Sequence, residues 1–249
     1  VHVVWTGKEY KMNLDLKIIL PVVIAFCISV VLCPIVIPFL KKLKFGQFVR
    51  DDGPQAHLKK AGTPTMGGLI ILLSFTITTL IYMKDYPDVL PVLFVTLGFG
   101  LIGFIDDYIK VVMKRSMGLR AWQKMLGQIV VTGVFAYYVE KYSTINNELI
   151  IPFVGKTIQL NSVLYVVLLF FIVLGTVNGA NFTDGLDGLA SSVTVLIATF
   201  FAVVAVGTGS GVAPVACAAV GSLLGFLVYN VYPAKVFMGD TGSLALGGF

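Results

Sequence analysis

Long stretches without a single charge alternate with short polar loops along this chain. Ile18–Leu40, Met66–Met83, Val89–Ile105, Gly188–Val206 and Val212–Ala234 contain no Asp, Glu, Lys or Arg. A hydrocarbon core ~30 Å thick takes about 20 apolar residues to cross as a helix, so each run is predicted to span a membrane. The buried helices of a large soluble core would not repeat such lengths so often. Met125–Val139 is a shorter uncharged run, reaching span length if Trp122 and Gln123 enter the interface. Thr157–Thr183 is uncharged but ends in polar residues, which places its helix at Ser162–Val177. The expected fold is an all-α polytopic membrane protein with seven complete transmembrane helices, forming one integral-membrane domain over residues 1–249. Thr241–Phe249 reads as the start of an eighth span; because it breaks off at Gly247-Gly248-Phe249, further C-terminal spans are expected. Between the fourth and fifth spans, Ile150–Leu160 sets two short apolar runs about Gly155-Lys156, the pattern of a small external β-hairpin.

Composition sharpens this picture. Of 249 residues 57% are hydrophobic and 12% charged, against about 25% charged in soluble domains. The three cysteines, Cys27, Cys33 and Cys217, all fall inside apolar spans; an odd number there excludes a disulfide framework and leaves them as small core residues. The residues ahead of Met12 lack the charged and apolar regions of a cleaved signal; one reading makes residues 1–11 additional to a natural start at Met12.

Orientation follows from the placement of Lys and Arg in short loops. The loops after spans one, three and seven hold Lys41, Lys42, Lys44, Arg50, Lys59, Lys60, Lys110, Lys114, Arg115, Arg120, Lys124 and Lys235. The opposite side holds Lys8, Lys11, Lys17, Lys84, Lys141 and Lys156. This asymmetry predicts an external N terminus and cytoplasmic loops after spans one, three, five and seven. The formal charge of +5 is therefore chiefly a topology signal. A nucleic-acid partner would need a basic face on a soluble module, and none is present.

Seven of the thirteen carboxylates collect on that same predicted cytoplasmic side: Asp51, Asp52, Asp106, Asp107, Asp184, Asp187 and Asp240. Ionisable groups at membrane depth are costly and mark functional sites by default, and acids on positive-inside loops call for a cationic partner. Asp106 and Asp107 close the third span with Lys110 one turn on; adjacent carboxylates on a helix diverge by about 100°, so one can bind a cation while the other faces a substrate. Asn178, Asn181, Asp184 and Asp187 recur every third residue, with Gly179 and Gly185 between them and Gly188 directly after, and in a helix would form one polar stripe. Such oxygen ligands suit Mg²⁺. The spacing lacks an EF-hand loop and a Walker phosphate loop. Asp240 lies in Phe237-Met238-Gly239-Asp240-Thr241-Gly242-Ser243, where a helix start offers backbone N–H groups to phosphate. Taken singly, each feature has a bland reading as a helix cap. Together on one face they describe a site for an anionic diphosphate substrate with a divalent metal. An ion-coupled transporter would carry its carboxylates at the midplane; these lie at span ends.

The motifs Asp106-Asp107-x-x-Lys110, Asn178-x-x-Asn181-x-x-Asp184-Gly185-Leu186-Asp187-Gly188 and Phe237–Ser243 resemble those of the polyprenyl-phosphate N-acetylhexosamine-1-phosphate transferases. Arg50–Pro54 and Gly62–Gly68 are similar to the phospho-MurNAc-pentapeptide transferase branch, which distinguishes it from sister enzymes that use UDP-GlcNAc. The resemblance implies a ten-span homodimer in the bacterial inner membrane, with UDP-MurNAc-pentapeptide and undecaprenyl phosphate as substrates and lipid I and UMP as products. It further implies Asp240 as the Mg²⁺ ligand and Asp106 with Asp107 as the catalytic pair, Asp106 serving as base or nucleophile. Lys60, Thr65, Asp184, Gly185, Leu186, Asp187 and Phe237 would bind the nucleotide, with Lys124, Asn178, Asn181 and Asn230 around the phosphates. The family's histidine-rich loop between its last two spans has no counterpart here, since His2 and His57 lie elsewhere; this again points to further C-terminal spans.

Overall fold

The computed structural model describes residues 2–5, 8–11, 16–42, 62–115, 117–142, 147–151, 154 and 156–249. Eight helices run through the described residues: α1 Leu16–Lys42, α2 Gly68–Tyr82, α3 Val89–Val111, α4 Ala121–Tyr142, α5 Ser162–Thr183, α6 Leu189–Thr208, α7 Ala213–Asn230 and α8 Gly239–Gly248. Five of them, α1, α3, α5, α6 and α7, are long and apolar enough to cross a membrane; α2 is apolar but shorter. The chain is thus a mostly helical, multi-pass membrane protein. Pro21, Pro34 and Pro38 sit inside α1, as spanning helices allow where neighbouring groups satisfy the freed carbonyls.

The burial pattern inverts that of a water-soluble bundle. α7 is enclosed nearly all round, whereas α5 leaves most of its apolar surface open. Leu101, Phe171 and Leu196 are among many large apolar side chains on the outside, an exposure suited to lipid contact. α1 packs along α7, where the Ser29 hydroxyl donates to the Ser222 carbonyl (2.9 Å). A core of Cys33, Ile37, Leu40, Ile70, Leu223, Phe226 and Met238 joins α1, α2 and α7 to the segment before α8.

Two antiparallel strand pairs flank the helices. β3 (Glu148–Ile151) pairs with β4 (Lys156–Gln159), Glu148 opposite Gln159 and Ile151 opposite Lys156. β1 (His2–Trp5) pairs with β2 (Lys8–Lys11), an element the helix-centred reading did not anticipate; Val3, Val4 and Trp5 are residues that favour extended chain. The Asn/Asp repeat also departs from a single helical stripe. α5 ends at Thr183 with Asp184 as its C-cap, and Gly188, at φ +73°, begins α6. Asp184 and Asp187 therefore occupy a turn, not the helix face that carries Asn178 and Asn181.

Candidate active site

Four helix ends meet around Asp240: the end of α3, the start of α4, the end of α5 and the start of α8. Lys110 and Lys124 each donate from Nζ to Asp240 Oδ2 at 2.9 Å. Asn181 Nδ2 donates to Asp240 Oδ1 at 2.9 Å and to the Ser243 hydroxyl at 2.7 Å. Lys124 also reaches Asn181 Oδ1 (3.4 Å). Two ammonium groups on one oxygen favour the ionised carboxylate. They also give positive charge that an incoming phosphate can take over.

Asp106 and Asp107 diverge, as adjacent residues on a helix must. Asp106 forms an ion pair with Lys110, and its Oδ1 accepts from the Leu119 backbone N–H at 2.7 Å. Asp107 turns instead to α8. Its carboxylate accepts from Asp240 N (3.2 Å), Thr241 N (2.8 Å) and Thr241 Oγ1 (2.6 Å). Close backbone approach makes this possible. A side chain on Gly103, one turn before Asp107, would run into the Asp240 carbonyl. Gly239 has φ +69°, a conformation that favours glycine; a Cβ there would sit 2.6 Å from Asp107 Oδ2.

Asp106, Asp107 and Asp240 offer carboxylate oxygens that all lie within 4.8 Å of one another. This acidic cluster can hold a metal ion, and its all-oxygen character fits a hard divalent cation such as Mg²⁺. Among the described residues, Lys110 and Lys124 are the cations paired with this cluster.

Of the other residues singled out from the sequence, Asn178 stands one turn back from the cluster. It exchanges hydrogen bonds with Gln128, Nδ2 donating to Gln128 Oε1 at 2.9 Å and Oδ1 accepting from Gln128 Nε2 at 3.3 Å. Gln128, fully buried, was not anticipated. The signal for it was its position four residues after Lys124, on the same face of α4, as a polar side chain in an otherwise apolar run. Gln128→Leu should leave the Asn178 amide oxygen without its donor, while Nδ2 keeps the Leu174 carbonyl, and destabilise the fold by about 1–3 kcal/mol. Thermal unfolding in detergent checks this, an unchanged midpoint showing that the amide pair carries no weight.

Asn230 is engaged within the fold. It is 2% exposed, with Oδ1 accepting from Ser191 Oγ (2.9 Å) and Nδ2 donating to the Val236 carbonyl (2.9 Å). Its amide holds the loop after α7 to the start of α6. Asp187 Oδ2 accepts from Ala234 N at 3.1 Å, tying the turn that carries Asp184, Gly185 and Leu186 to the loop that carries Phe237. Phe237 is itself gripped by the Thr65 segment: its N–H donates to the Pro64 carbonyl and its carbonyl accepts from Gly67 N, both at 2.8 Å. Its ring remains half-buried. Thr65 is buried beside Gly239. Residues 50–61, which include Asp51, Asp52 and Lys60, lie outside the described residues.

Comparison with known proteins bears on this arrangement. Glycosyl transferase family 4 matches residues 89–249, and signature 1 of phospho-N-acetylmuramoyl-pentapeptide-transferase matches residues 60–72. The phospho-N-acetylmuramoyl-pentapeptide-transferase of Caldicellulosiruptor bescii is 50% identical over 236 residues, covering 94% of this chain and 73% of the relative. That of Bacillus subtilis is 48% identical over 240 residues, covering 94% and 74%. That of Clostridium botulinum is 49% identical over 246 residues, covering 97% and 74%.

Proposed function

Because the chain belongs to the phospho-N-acetylmuramoyl-pentapeptide-transferase family, we propose that it transfers phospho-MurNAc-pentapeptide from UDP-MurNAc-pentapeptide to undecaprenyl phosphate, releasing UMP and forming lipid I. The observation that carries this reading to particular side chains is the convergence of Lys110, Lys124 and Asn181 on Asp240, beside Asp106. The match at residues 60–72 to a signature specific to this transferase favours it over a sister enzyme acting on UDP-GlcNAc. One integral-membrane domain, an external N terminus, a site facing the cytoplasm of a bacterial inner membrane and a homodimeric assembly complete the reading, supported by the Lys/Arg asymmetry and by family membership.

Phosphoryl transfer is mainly positioning and charge neutralisation. Mg²⁺ bound through Asp240 would supply charge neutralisation at the diphosphate. Lys124 and Lys110 are placed to leave Asp240 for phosphate oxygens, holding the group to be transferred. Asn181, anchored by Ser243, keeps the Asp240 carboxylate oriented throughout. Asp106 takes the last proton of the polyprenyl phosphate, whose oxygen attacks the phosphorus bonded to the sugar as the UMP oxygen leaves. Phe237 offers a ring for the uracil beside the turn of Asp184, Gly185, Leu186 and Asp187.

Stacking of a base on an aromatic ring contributes roughly 1–3 kcal/mol. Phe237→Ala should therefore raise KM for the nucleotide about 5- to 150-fold while leaving KM for the lipid nearly unchanged; equal effects on both would remove the ring from the uracil site. The activity itself is tested by incubating the protein with radiolabelled UDP-MurNAc-pentapeptide, undecaprenyl phosphate and Mg²⁺. A labelled lipid and free UMP are expected, and transfer from UDP-GlcNAc instead would overturn the substrate assignment.

A further inference from the structure

We propose that Asp107 is a positioning residue that caps α8 from another helix and so aims Asp240, without itself touching substrate. This rests on the transferase reading above and assigns the second carboxylate of the Asp106-Asp107 pair a separate task. A helix start leaves backbone N–H groups unpaired, and they are commonly satisfied by a side-chain oxygen of the N-cap residue. In α8 that residue is Met238, which makes no side-chain cap. Asp107 replaces it across space: Asp240 N and Thr241 N both donate to its carboxylate, and Thr241 Oγ1 adds the shortest of the three bonds. The negative charge also lies at the positive end of the helix dipole.

The geometry leaves Asp107 little room for another role. Its carboxylate, as buried as that of Asp106, takes three donors from α8 and is walled by Gly239 and by the Thr65 hydroxyl lying against the same glycine. Asp106 next to it has a different environment, paired with Lys110, whose side chain is 36% exposed, and with one loop N–H. The residue whose backbone N–H Asp107 binds is Asp240, so the cap fixes the origin of the side chain that meets Lys110, Lys124 and Asn181. A small rotation of this first turn would carry the Asp240 oxygens out of reach of all three.

The proposal predicts that Asp107 and Thr241 act as one unit. In the full chain, purified in detergent, Thr241→Val should lower kcat roughly ten- to a hundredfold, the scale of a lost hydrogen bond to a charged group. Thr241→Ser, which keeps the hydroxyl, should restore most of that loss. Asp107→Asn should lower kcat with the shape of the pH–rate profile unchanged, and adding Thr241→Val to it should cost little more, because coupled residues are non-additive. Wild-type rates in Thr241→Val beside an inactive Asp107→Asn would overturn the proposal, as would a pH profile altered by Asp107→Asn or full additivity of the two changes. If Thr241→Val does not fold, the Ser variant and the pH profile decide alone: a Ser variant as impaired as Asp107→Asn overturns the cap. Failure of the transferase reading is separately visible, since the unmutated protein would then make no labelled lipid.

Discussion

Asp240→Asn is expected to reduce transfer by on the order of a thousandfold, the scale at which removing a group that stabilises transition-state charge registers, while the protein still extracts and elutes as a folded species. Asp240 is the residue on which Lys110, Lys124 and Asn181 converge. An amide in its place keeps the shape and the Asn181 contact in part, yet removes the negative charge that holds two ammonium groups together and that a hard cation requires. Both losses act in one direction. The lysines would repel each other at the emptied position, and a metal ion held by the three-carboxylate cluster would lose one of its oxygens. The α8 cap should survive, because Asp107 binds the backbone of Asp240 and not its side chain. The variant should thus melt close to the unmutated protein and remain inactive across a Mg²⁺ titration. Near-normal turnover at limiting Mg²⁺ would remove Asp240 from the metal site.

The helical, multi-pass architecture was legible because lipid imposes one strong rule: long uncharged runs become helices, and α1 to α8 coincide in place with the runs expected, five of them, against the seven complete spans expected, being long and apolar enough to cross a membrane. The finer site was legible only where residues repeat at helical spacing. Asp106 and Lys110 read correctly as neighbours because both lie on α3, one turn apart. The Asn178–Asp187 repeat misleads halfway along, since the helix ends at Thr183, Gly188 at φ +73° turns the chain into α6, and Asp187 between them reaches Ala234. Asn230 has the chemistry of a phosphate contact, but a buried amide must find partners, and Ser191 and Val236 supply them. No local pattern announces that Asp107 will cap a helix more than a hundred residues later. Gly103 and Gly239 hint at it, but their meaning emerges only when α3 and α8 are seen in backbone contact.

The second large effect expected is on Asp106, and it separates two chemistries. Both Asp106 oxygens are engaged, one with Lys110 and one with Leu119 N, which suits a carboxylate that accepts a proton more than one that must leave both partners to attack phosphorus. As a general base it contributes roughly 10²–10⁴-fold, but only while the lipid phosphate retains a proton to lose. Phosphate monoesters have a second pKa near ~6. Well above that pH the acceptor is already a dianion, so the deficit of Asp106→Asn should be largest at and below pH ~6, shrink over the next one to two pH units and stay small up to pH ~9.5. If Asp106 were instead the covalent nucleophile, Asn could form no intermediate at any pH, and the unmutated enzyme would exchange labelled UMP into UDP-MurNAc-pentapeptide with no lipid present. Direct attack by the lipid phosphate predicts a rising mutant profile and lipid-dependent exchange. A flat, inactive profile together with lipid-independent exchange would replace it with the two-step route.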